Sequence, residues 1–141
     1  MNHYSFEDIA VGMEEAFCVE VTFQMVEKFR QITGDVNPLH TDEEFARNKG
    51  YKDCVAYGML TASFLSTLAG VYIPGEKSLI HSVETKFVKP VFVGDVLTVR
   101  GTVKEKNETF SVITLKVVIT NQEDEKVLRG SMQIGVLPDG K

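Results

Sequence analysis

The sequence predicts an α+β protein in which an antiparallel sheet wraps around a central buried helix. Three observations predict it. Residues 57–71 are small or apolar on nearly every face, which marks a helix buried all round. Beyond Pro74 and Gly75 the chain reads as strand and turn, and no helical period returns. The 141 residues are 43% hydrophobic and 25% charged, an ordinary globular composition, and residues 1–141 suit a single domain. A curved sheet is the simplest way to bury that one helix.

The elements follow in order. Glu15 to Val21 alternates loosely and suits a short strand. Thr22 is a helix N-cap. Phe23, Val26 and Phe29, with Arg30 and Ile32, then form a stripe near helical period, which Gly34 closes. Asp35 to Thr41 carries Asp, Asn and Pro and reads as an irregular turn. Asp42 caps a short helix through Phe45 and Ala46, and 48–53 is loop. In the first strand after the central helix, Leu79, His81, Val83, Thr85 and Phe87 share the apolar face. Val91–Val93 continues as strand to a turn at Gly94-Asp95. Val96–Val103, Phe110–Thr120 and Lys126–Val136 complete the meander, joined at Asn107 and at 121–125.

Composition excludes several functions. Fifteen Lys and Arg against twenty Asp and Glu give a net charge of −5, without the basic footprint of a nucleic-acid binder. No stretch reaches the ~20 apolar residues of a membrane span. The first twelve residues lack the basic-then-apolar pattern of a signal peptide. Cys18 and Cys54 have no metal-ligand spacing and read as reduced packing thiols, so the expected compartment is the cytoplasm. No metal site or cofactor is expected.

Three features carry chemistry. Asp35-Val-Asn-Pro-Leu-His40 sets a carboxylate and an imidazole on a turn stiffened by Asn37 and Pro38. Such a turn brings both groups to one small volume, where they can hold a water and move protons in opposite directions. The same residues also serve plain turn chemistry, with Asp35 capping amides and His40 on the surface. Tyr57-Gly58-Met59 opens the central helix, whose free N–H groups can form an oxyanion hole; close packing explains Gly58 equally well. Ser66 lies about two turns further along and either orients a pocket group or bonds back to its own helix. His81 reads as a core or pocket-wall histidine.

Together these residues resemble the MaoC-like hydratases, particularly the (R)-specific enoyl-CoA hydratases of the hot-dog fold. The resemblance runs from about Phe6 to Leu137. It rests on GDVNPLH at 34–40, TDEEFA at 41–46, YGML at 57–60 and FVKPVFVGD at 87–95. It implies that Asp35 and His40 are the catalytic pair and that Gly58 N–H binds the thioester carbonyl. Ser66 then matches a serine near the catalytic Asp, while Asn37 and Tyr57 support the site. FVKPVFVGD reads as structural. Many members carry His where Tyr57 stands, a departure that bears on pocket shape and substrate range.

The implied reaction is reversible syn hydration of a trans-2-enoyl-CoA to an (R)-3-hydroxyacyl-CoA in a homodimer, the acyl group riding on CoA or on acyl-carrier protein. Arg47, Lys49, Lys52, Lys86 and Lys89 are candidates to meet the CoA phosphates. The rival readings are a thioesterase of the same fold, a 3-hydroxyacyl-carrier-protein dehydratase and a non-catalytic acyl-CoA-binding module.

Overall fold

A computed structural model describes residues 1–140. The order is β1 (Glu14–Glu20), α1 (Phe23–Thr33), α2 (Pro38–Thr41), α3 (Glu43–Asn48), α4 (Gly58–Thr67), a wide π-helical turn (Leu68–Tyr72), β2 (Ser78–Phe87), β3 (Val96–Asn107), β4 (Val112–Thr120) and β5 (Lys126–Val136). The five strands form one sheet in the order β1-β3-β4-β5-β2, and every pairing is antiparallel. The hot-dog arrangement implied by the sequence is thus present. No described helix is long and apolar enough to cross a membrane.

Period-2 alternation builds the core. Leu97, Val99 and Val103 of β3, Ile113, Leu115, Val117 and Ile119 of β4, and Leu128, Met132 and Ile134 of β5 are fully buried. Each such side chain contributes about 1.5–3 kcal/mol on burial. Leu60, Leu65, Leu68 and Ala69 pack against them from the central helix. Gly101 admits the helix end: a Cβ there would stand 2.9 Å from Leu68 Cδ2.

Several expectations need correcting. Residues 38–41 are one helical turn, because Pro38 sits at its first position and Asn37 caps it. The central helix is not buried all round: Met59, Ser63 and Ser66 are exposed along one stripe. Phe23 and Ile32 of α1 also point to solvent. Val91–Val93 is not a strand; Val91 is buried and its carbonyl accepts the Ala56 N–H. The β2 alternation is broken by a bulge between Ile80 and Ser82. That extra residue puts Ile80, rather than Leu79 and His81, in phase with Val83, Thr85 and Phe87. His81 is therefore exposed rather than in the core, and it lines cavities away from Asp35 and His40. Cys18 and Cys54 are both free, but Cys18 is exposed rather than packed.

Candidate active site

Local hydrogen bonds shape the turn that follows α1. Thr22 accepts the Met25 N–H at the start of α1, and Gly34, left-handed at φ 74°, ends it. Asp35 Oδ1 then accepts the Asn37 N–H at 3.0 Å, and Asn37 Oδ1 accepts the Leu39 N–H at 3.0 Å. These two nested side-chain turns start α2 and place His40 in it.

A backbone carbonyl fixes the histidine. His40 Nδ1 lies 2.6 Å from Val55 O. A carbonyl oxygen only accepts, so Nδ1 carries the hydrogen and Nε2 is the nitrogen left for a ligand. The Val55 N–H in turn donates to Leu39 O. Tyr57 packs against the imidazole in a tilted contact with centroids 4.1 Å apart, and its hydroxyl donates to the Asp35 carbonyl at 2.5 Å. Burial, and then the nearby Asp35 carboxylate, raise the Tyr57 pKa above the usual phenol value.

α4 begins at Gly58, and Tyr57 supplies no side-chain cap, so the first N–H groups are left to other acceptors. Gly58 also meets β2: a Cβ there would stand 3.1 Å from the Phe87 ring.

Two cavities meet here. One of about 400 Å³ is lined by Phe29, Thr33, Asp35, His40, Tyr57, Gly58, Met59 and Phe87. The other, about 280 Å³, shares His40, Gly58 and Phe87 and runs past Tyr51, Val55, Thr61, Lys89 and Val91 to Val127. The fold thus brings Asp35, His40, Tyr57 and Gly58 around one volume, with Asn37 just behind as a cap. Ser66 is exposed on α4 and lines neither cavity. A carboxylate, an imidazole and the first turn of a helix around one cavity suit chemistry that moves protons while negative charge builds on an oxygen.

Sequence reasoning missed some of this site. The Val55 carbonyl leaves no side-chain signal. Phe87 belongs to a segment read as structural, yet it lines both cavities. Thr61, one of four hydroxyl residues on α4, carries an oxygen that is buried without a hydrogen-bond partner. Of the candidate cations, Lys89 pairs with Glu125 and Arg47 with Glu43, while Lys49 and Lys52 sit over the rings of Phe45 and Phe92. Among the described residues no three His, Cys, Asp or Glu side chains gather as a metal set would.

Comparison with known proteins shows the family and the fold. The family model described as MaoC like domain matches residues 10–127. An (R)-specific enoyl-CoA hydratase of Rhodospirillum rubrum is 33% identical over 128 residues, covering 85% of this chain and 88% of the relative. A 3-hydroxybutyryl-CoA dehydratase of Methylorubrum extorquens is 36% identical over 100 residues, 71% of this chain and 64% of that protein. The solved structure of the (R)-hydratase from A. caviae involved in PHA biosynthesis superposes with a TM-score of 0.88 at 30% identity, over 94% of this chain and 99% of the other.

Proposed function

The chain belongs to the MaoC-like domain family, and from that premise we propose that it is an (R)-specific enoyl-CoA hydratase. The reaction is reversible syn addition of water across a trans-2-enoyl-CoA to give an (R)-3-hydroxyacyl-CoA. One observation carries the reading: Asp35 and His40, at the two ends of one capped turn, border the same cavity as the N-terminal glycine of α4.

Water is held between Asp35 and His40. As its oxygen bonds to C3, one of the pair takes its proton, and the C2–C3 π electrons move toward the thioester oxygen. The other group delivers a proton to C2. His40 acts through Nε2, since Nδ1 is committed to Val55. Asp35 has one carboxylate oxygen engaged by Asn37 and the other available. The Gly58 N–H stabilises the enolate-like oxygen.

Two chains form the working unit, as the uncovered edge of β2 suggests. Leu79, Val83 and Phe87 are about half exposed there, at 51%, 47% and 53%. The two free cysteines suit a reducing compartment, and we place the protein in the cytoplasm.

Hydration of crotonyl-CoA and longer enoyl-CoA substrates, with product stereochemistry determined, tests the reading. Asp35→Asn and His40→Ala should each lower the rate by at least ~10²-fold while keeping wild-type circular dichroism. Folded variants with the wild-type rate would sink the assignment. Release of free thiol would instead mark a thioesterase, and binding without turnover a non-catalytic module.

A further inference from the structure

We propose that Tyr57 is the positioning residue of this site: it locks Asp35 and His40 into one relative geometry and ties that pair to Gly58. The kinetic part of this proposal rests on the hydratase reading above.

The site is assembled from separate pieces of chain. Asp35 follows α1, His40 sits in α2, and Gly58 opens α4. α2 has only four residues, and so short a helix does not hold itself in water. Its position depends on contacts from outside. The Val55 backbone makes two of them, accepting from His40 Nδ1 and donating to Leu39 O. Neither reaches Asp35, which is exposed on the far side of Asn37 and Pro38.

Tyr57 is in contact with all three parts at once. It is peptide-bonded to Gly58, and its own carbonyl accepts the Leu60 and Thr61 N–H groups that begin α4. Its ring lies against the His40 imidazole at 4.1 Å and 31°, and against Phe29 of α1 at 5.1 Å. Its hydroxyl reaches back 22 residues to the Asp35 carbonyl. At 2% exposure the ring has little room to move, so these contacts form one rigid set. The raised Tyr57 pKa favours the protonated hydroxyl, which is the form that donates to Asp35.

Tyr57→Phe removes only the hydroxyl, and Tyr57→Leu removes the ring as well. Because acid–base chemistry is steep in geometry, Tyr57→Phe should lose ~10-fold or more in kcat, with KM changed less than about twofold. Tyr57→Leu should lose more. A filler role would lower the melting temperature and leave kcat per folded molecule at the wild-type value, and that result overturns the proposal. NMR decides the same point without turnover. In Tyr57→Phe the Asp35 carbonyl ¹³C resonance should shift and the His40 ring signals should broaden; unchanged signals overturn it. A wild-type chain that hydrates no enoyl-CoA would overturn the hydratase reading alone, and the NMR result would still decide the role of Tyr57.

Discussion

Thr61 shows what a single residue discloses and what it hides. It is a buried residue of α4, 2% exposed, and its hydroxyl has no partner. A buried unsatisfied hydroxyl costs about 1–3 kcal/mol, whereas an apolar group of the same shape carries no such penalty. Thr61→Val should therefore raise stability by about 1 kcal/mol, read as a higher urea midpoint at unchanged slope. A lower midpoint would mean that the hydroxyl has a partner in solution. The sequence shows Thr61 as one hydroxyl among several and gives no hint that its oxygen is stranded. Asp35 and His40 are the opposite case: their chemistry is legible from type and spacing. Their fixing groups are not. The Val55 carbonyl, which sets the histidine tautomer, belongs to the backbone of a residue 15 positions away.

At the scale of elements, caps were legible, and with Asp42 the short helix α3, but α2 was not. Thr22, Gly34 and Asp42 cap as their residue types predict. α2 escaped because its single turn is shorter than one full apolar period. Its stability comes instead from Asn37, whose side chain accepts the Leu39 N–H. Asn37→Ala and Thr22→Ala each remove one N-cap, and each should cost about 1 kcal/mol in denaturant unfolding. Only Asn37→Ala should also lower kcat, since it loosens the helix that carries His40. Equal kcat in the two variants would show that α2 needs no cap to place the imidazole. The central helix teaches a related lesson. Its composition says buried on every face, but Met59 is 64% exposed. Met59 is the one large apolar residue on that stripe, and its own chain leaves it uncovered.

The whole molecule supplies the reason. β2 closes the sheet on one side, ten residues long, with apolar side chains that its own chain leaves half uncovered. A long apolar edge strand invites pairing with a copy of itself about a two-fold axis. Val83, opposite Met132 in register, lies on the core face of that strand. Val83→Asp should turn a wild-type dimer into a monomer in sedimentation, with circular dichroism retained. A wild-type chain that sediments as a monomer would remove the dimer from the proposal. By itself the sequence determined the main strands, the caps and the presence of a central helix, and it singled out Asp35 and His40 as candidates, because each is written in local periodicity or residue chemistry. Only the tertiary structure decided that a bulge re-phases β2, that Tyr57 and Val55 hold the pair, and that one stripe of α4 stays bare. Those outcomes depend on contacts between segments far apart in the chain, which no local pattern records.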